Sequence, residues 1–197
     1  MTIAGLILAG GRSTRMGGTD KAFVRLGGTS LIENAIERLC PQVDAIAINS
    51  SALAAAKFGL PVVRDATDTH DGPLAGVLAG LDWAQRAGAT RLATIAVDTP
   101  FFPLDLVARL ALVDETRIAV ARSGDRHHPV FALWPVAAHE PLQAFLKRGE
   151  TRKVMAFVES FGFAAVDFES AAIDPFFNVN AADDLARAKA HLAGAKS

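Results

Sequence analysis

The chain is poor in several of the features that would fix a function class early. Its 197 residues contain a single cysteine, Cys40. No intrachain disulfide is possible, no cysteine-based zinc site can be built, and such cysteine usage agrees with a reducing cytoplasm. Charge of one sign is also missing. Twenty Lys and Arg face 21 Asp and Glu, for a formal net charge of -1, and no long basic run exists. That argues against tracking a nucleic-acid backbone. Apolar stretches all fall far short of a membrane span, and no charged n-region precedes the first apolar run, so neither a transmembrane segment nor a signal peptide is expected. Repeats and low-complexity segments are absent, as is any recognisable Ser/His/Asp or Cys/His nucleophile set. A hydrophobic fraction of 51% excludes wholesale disorder. The length fits one domain spanning 1–197, with fraying expected over 190–197.

What is present is concentrated near the start. Leu6-Ile7-Leu8-Ala9 reads as a buried strand, and the following residues, Gly10 to Lys21, interleave four glycines with the cations Arg12, Arg15 and Lys21. Glycine lets backbone approach a ligand, turned N–H groups suit an anion, and guanidinium forks fit phosphate oxygens. The stretch therefore reads as a polyphosphate cradle, against the alternative of a surface loop with solvated charges. It is not a Walker A loop, since Lys21 lies between Asp20 and Ala22, and the glycine spacing is not that of a dinucleotide fingerprint.

Periodicity then predicts strands over 43–49, 60–64, 91–97, 116–121, 129–133 and 162–168. Helices are expected over 31–39, 52–58, 74–86, 103–113, 136–147, 152–160 and 182–192. Ser30 and Glu33 form a capping box before the first helix, Pro41 ends it, and 123–128 is read as a polar turn. Alternating strands and helices imply an α/β fold with a mostly parallel sheet covered on both faces, where ligands bind beyond the carboxyl ends of the strands. The cradle, Asn49, Asp65 and Asp98 all follow predicted strand ends.

Asp98, in Val97-Asp98-Thr99-Pro100, suits Mg²⁺ held jointly with substrate phosphates, or else caps a helix beginning at Pro100. Asn49 and Asp65 are placed to read a base or ribose; the alternatives are a turn residue and an ion pair with Arg64. His127 and His128 would point to opposite faces of a strand and make a poor shared metal site. Arg152 and Lys153 either bind an acceptor phosphate or stay solvated. In Asn178-Val179-Asn180, Asn180 could cap the last helix, leaving Asn178 to fix the rim.

The run Leu8-Ala9-Gly10-Gly11-x-Ser13-x-Arg15-Met16-Gly17-x-x-Asp20-Lys21 resembles the signature of the nucleotidyltransferases of molybdenum cofactor synthesis, and more narrowly of the guanylyltransferases. Relatives acting on sugar phosphates or with CTP usually show Leu-Ala-Ala-Gly there. Further likeness at Asp98 and at Phe177-Asn178-Val179-Asn180 extends it from residue 3 to about 186. The resemblance implies a Rossmann-like three-layer nucleotidyltransferase domain that moves GMP from GTP to the terminal phosphate of molybdopterin, with or without molybdenum. Mg²⁺ would be the cofactor, with Mn²⁺ able to substitute, held by Asp98. Arg15, Lys21 and Asp98 would carry catalysis. Leu8, Ala9, Gly10, Gly11, Lys21, Asn49, Asp65 and Asp98 would bind GTP. Gly76, His128, Arg152, Asn178 and Asn180 are assigned to the acceptor. Other cofactor-synthesis proteins, acceptor molybdoenzymes and their chaperones are the implied protein partners; nucleic acid and membrane are not. Valine replaces the family's frequent cysteine at 97, and Ser50-Ser51 replaces an arginine that often follows the asparagine. Rival readings are a cytidylyltransferase or sugar- or polyol-phosphate nucleotidyltransferase of the same fold, and a non-catalytic nucleotide-binding module.

Overall fold

A computed structural model describes residues 1–10, 21–51, 53–65, 72–149, 151–169 and 172–194. The expectations for Gly11, Arg12 and Arg15 and for the loop 66–71 lie outside the described residues. The chain begins with strand β1 (Ile3–Leu8), followed by a short hairpin of β2 (Arg25–Leu26) and β3 (Thr29–Ser30). Helix α1 (Leu31–Leu39), β4 (Ala45–Asn49), β5 (Val62–Val63), α2 (Pro73–Arg86) and β6 (Arg91–Ala96) complete the first half. Then come α3 (Leu106–Leu110), β7 (Ile118–Ser123), β8 (Arg126–Pro135), α4 (His139–Arg148), α5 (Val154–Phe161), β9 (Phe163–Asp167) and α6 (Ala182–Gly194).

Seven strands form one sheet in the order β5-β4-β1-β6-β8-β7-β9. Only β8 runs against its neighbours, so the sheet is mostly parallel as expected. β1 is central and buried along its whole length, which explains its near-continuous apolar sequence. Its side chains alternate between the two layers. Ile3 and Ile7 join a core with α1, α3 and α6, while Ala4, Leu6 and Leu8 join one with α2, α4 and α5. Gly5 opens toward α1, where a Cβ would press on Leu39 and Val43.

Several boundaries differ from those the sequence suggests. The Ser30/Glu33 capping box is present, with Ser30 N–H donating to Glu33 Oε2 at 2.7 Å. The segment Leu53–Phe58 is a 3-10 helix, and Gly59 leaves it with φ of +69°. The helix expected over 103–113 shrinks to Leu106–Leu110, because Arg38 of α1 and Gln42 of the turn after it hold the backbone before it. Arg38 donates to the carbonyls of Phe101 and Phe102, and Gln42 donates to that of Pro103 while accepting from Val107 N–H. Phe102 O and Val107 N–H are thereby satisfied by side chains and gain little from a helix. The polar turn expected over 123–128 is only Gly124-Asp125, and β7 and β8 run up to it on both sides. Gly124 has φ of +53°, which a two-residue hairpin turn favours. The first part of the helix expected from 136 is a 3-10 turn, Val136–Ala138. Residues 190–194, expected to fray, continue α6, with Leu192 packed against the core.

Helix α2 lies hard against the sheet. A Cβ on Gly80 would come 2.4 Å from Leu6 Cδ2 and 3.0 Å from Leu92 Cδ2, both on fully buried residues. Gly80→Ala therefore gains at most about 1 kcal/mol of helix propensity against an overpacking cost. We expect a net loss of about 1–3 kcal/mol, read as a lower urea midpoint at unchanged m-value. A more stable variant would show that the two leucines yield freely.

Candidate active site

The carboxyl ends of β1, β4, β5 and β6 form one rim. β1 ends at Leu8, whose carbonyl accepts from Val97 N–H at 3.2 Å, while Ala9 N–H donates to Asn49 O at 2.9 Å. Leu8, Ala9 and Gly10 are thereby fixed at the centre of the rim. Asn49 closes β4 and is only 4% exposed. Its Nδ2 donates to Asp65 Oδ1 at 2.8 Å and to Val63 O at 3.2 Å. The sequence reading placed both residues on the nucleotide. The geometry divides the work: Asn49 lies beneath, and Asp65 is exposed above it. Among the described residues Asp65 is held by Asn49 and not by Arg64.

Two glycines make room for that amide. A Cβ on Gly76 would fall 2.4 Å from Asn49 Oδ1 and 2.8 Å from Leu8 Cδ2, and one on Gly10 would lie 3.4 Å from the same oxygen. Gly76 thus belongs to the Asn49 side of the rim. Ser50, where the family often has arginine, is buried, with its N–H on Val63 O. Val97 is buried in the core.

At the end of β6, Lys21 Nζ donates to Asp98 Oδ2 at 2.7 Å and to Asn180 Oδ1 at 2.5 Å. Lys21 is 9% exposed. An ammonium so far removed from water needs acceptors, and it has found a carboxylate 77 positions away and an amide 159 positions away. Asp98 does not cap a helix, since α3 begins only at Leu106. The backbone of residues 174–181 crosses the same end. Val179 N–H donates to Asp98 O at 2.8 Å, and Thr99 Oγ1 donates to Asn178 Oδ1 at 2.5 Å. Asn178 fixes the rim as expected. Asn180 does not cap α6; its oxygen serves Lys21, and Asp184 binds the N–H groups of Asn180 and Ala181 instead.

The residues assigned to the acceptor are scattered. His128, at 7% exposure, faces inward: its ring stacks on Phe176 at 4.4 Å and its Nε2 lies 2.8 Å from Ser123 Oγ. His127 packs edge-on against Phe163, so the two histidines do not converge. Arg152 is exposed in the connection between α4 and α5. Because β8 descends and β9 starts at the bottom of the sheet, that connection returns toward the rim end.

No group of three or more His, Cys, Asp or Glu is placed to hold a metal among the described residues. Asp98, partly exposed on the rim beside a lysine, is the kind of single carboxylate that holds Mg²⁺ together with a ligand's phosphates. Sequence reasoning missed Thr99, Ser123 and Asp174. Only the Gly124-Asp125 dipeptide, a hairpin signal, could have brought Ser123 and His128 onto facing strands.

Burial pushes the His128 imidazole down to about 4 from its ordinary 6.5, aided by Arg126 and His127 and opposed by Asp174. The unfolded chain takes up this proton near pH 6.5 and the native chain only near pH 4. Stability from the neutral ring is thus complete above pH 6.5 and is lost as pH falls toward 4. Its size is about 3 kcal/mol. We expect His128→Gln to lose less stability than wild type between those pH values, by about that amount, in urea titrations. Equal losses would mean that His128 titrates normally.

Residues 5–162 match the family model of the MobA-like NTP transferase domain. A molybdenum cofactor guanylyltransferase of Cereibacter sphaeroides is 51% identical over 194 residues, covering 98% of each chain. One from Mesorhizobium japonicum is 45% identical over 195 residues, covering 94% of each. Among solved structures, molybdopterin-guanine dinucleotide biosynthesis protein A of Archaeoglobus fulgidus superposes with a TM-score of 0.74 at 22% identity, over 97% of this chain and 99% of its own. The 2-C-methyl-D-erythritol 4-phosphate cytidylyltransferase of Thermus thermophilus gives 0.70 at 21% identity, over 97% and 98%. These two share the fold. The near full-length identity of the curated relatives goes further: the chain is a nucleotidyltransferase and belongs to the molybdenum cofactor guanylyltransferase family.

Proposed function

We propose that the chain transfers GMP from GTP to the terminal phosphate of molybdopterin and releases pyrophosphate. The observation that carries this reading is the contact between Lys21 and Asp98 at 2.7 Å on the sheet rim. It joins one cation for phosphates and one carboxylate for a metal at the place where such sheets bind ligands. The curated relatives' name, molybdenum cofactor guanylyltransferase, supports a guanylyl transfer in the making of that cofactor.

In this reading the backbone of Leu8, Ala9 and Gly10 lies under the nucleotide, and Lys21 supports its phosphates. Asp65, with Oδ1 tied to Asn49, keeps Oδ2 for the N1–H and N2–H of guanine. A phosphate oxygen of the acceptor forms a bond to the α-phosphorus as the bond to the β-phosphate oxygen breaks. Mg²⁺, or Mn²⁺ in its place, held by Asp98, supplies charge neutralisation at the phosphates. No protein nucleophile is required, because in-line transfer of this kind rests on positioning and electrostatics. Asn178 and Arg152 are the acceptor-side candidates compatible with the rim. The same reading places the enzyme in the cytoplasm, delivering its product to molybdoenzymes or their chaperones. No helix among the described residues is long and apolar enough to cross a membrane.

The test is a panel of four nucleoside triphosphates with molybdopterin, following pyrophosphate. Two charge-assisted hydrogen bonds to Asp65 are worth about 1.5–3 kcal/mol each, so GTP should exceed ATP, CTP and UTP in kcat/KM by about 100-fold or more. Equal turnover of CTP would overturn the guanine assignment and favour the cytidylyltransferase alternative.

A further inference from the structure

A serine, a histidine and an aspartate meet outside the rim contacts described above. Ser123 Oγ lies 2.8 Å from His128 Nε2 and donates to Asp174 Oδ2 at 3.0 Å. The composition is that of a hydrolase triad, but the connectivity is not. In a triad the histidine stands between the other two and takes the serine proton. Here the serine is in the middle. An ionised carboxylate only accepts, so the one hydroxyl proton goes to Asp174 and His128 must donate through Nε2–H. Ser123 and His128 are also buried, with Phe176 covering the ring. The cluster has neither a general base nor access for a substrate.

It is instead well placed to hold a segment. Asp174 accepts three bonds at the start of 174–180: Oδ2 from Ser123 Oγ, Oδ1 from Phe176 N–H at 2.7 Å, and its carbonyl from Phe177 N–H at 3.0 Å. Phe176 is then clamped between His128 and the rings of Phe131 and Phe168. A few residues on, the same segment delivers Val179 N–H to Asp98 O and Asn180 Oδ1 to Lys21 Nζ. We propose that Ser123 and Asp174, with His128, are positioning residues: they anchor residues 174–180 so that Asn180 orients the Lys21 ammonium beside Asp98. The inference rests on the reading that Lys21 acts on the nucleotide's phosphates. An ammonium on a flexible stem has no direction of its own, so a fixed acceptor such as Asn180 Oδ1 restricts where it points.

Ser123→Ala removes the bridge, whereas Ser123→Thr retains the hydroxyl. Two measurements on the full-length enzyme decide the matter. The first needs no turnover. Amide exchange at Val179 should quicken about tenfold or more in Ser123→Ala and Asp174→Ala, with β1 amides unchanged and Ser123→Thr close to wild type. Unaltered exchange at Val179 overturns the proposal whatever the enzyme's substrate. The second is a double-mutant cycle on kcat, with whichever nucleoside triphosphate the wild type turns over, so that an error in the guanine assignment does not affect it. Ser123→Ala should lower kcat about tenfold with nucleotide KM nearly constant, since small displacements of a catalytic cation act on the transition state. In an Asn180→Ala background the same change should cost less than about twofold, because the path it acts through is gone. Equal costs in both backgrounds would show that Ser123 acts by another route, or only on folding.

Discussion

The contact between Lys21 and Asp98 is the constraint around which the rim is arranged. Charges as little hydrated as these must be matched, and leaving either alone costs about 3–5 kcal/mol. The pair explains why the turn at Lys21–Phe23, the end of β6 and the segment before α6 converge on one point. It also bears on the chemistry. Asp98, while neutralised by a lysine, has little charge left for a lone divalent cation. Nucleotide phosphates offer the ammonium a stronger partner and so release the carboxylate. On the proposed reading, metal and nucleotide therefore bind as one unit.

The Asn49 side of the rim depends on what is missing from α2. Gly76 and Gly80 have no Cβ where one would strike Asn49, Leu8 and Leu6. The helix can thus descend onto β1 and wall in the Asn49 amide, which in turn fixes Asp65. Small residues at the start of α2 are a packing requirement that leaves Asn49 buried and Asp65 exposed.

Much of this was legible in the sequence because it is written locally. The buried run of β1, the Ser30/Glu33 capping box and the apolar run ending at Asp98 each declare themselves within a few residues. The alternation of strands and helices then places Asn49, Asp65 and Asp98 on one rim. What was not legible depends on contacts across long sequence distances. Nothing near residue 103 signals that Arg38 and Gln42 hold its backbone and shorten α3. Asn180 has the right residue type and position for a helix cap, yet a lysine 159 positions away takes its oxygen. His128 is assigned to the acceptor by resemblance alone, and Phe176, which covers it, lies far along the chain. The Ser123–Asp174 bond joins a hairpin to a segment 51 positions on and could not be read from either.

On the proposed reading the Lys21–Asp98 pair opens in the working complex, Asp98 passing to the metal and Lys21 to the phosphates. Anomalous diffraction from crystals grown with Mn²⁺ and a non-hydrolysable GTP analogue addresses it directly. The expected result is a manganese peak ligated by the Asp98 carboxylate and by phosphate oxygens, with the Lys21 ammonium on the triphosphate. A manganese bound elsewhere, with the Lys21–Asp98 contact intact beneath a bound nucleotide, would contradict it.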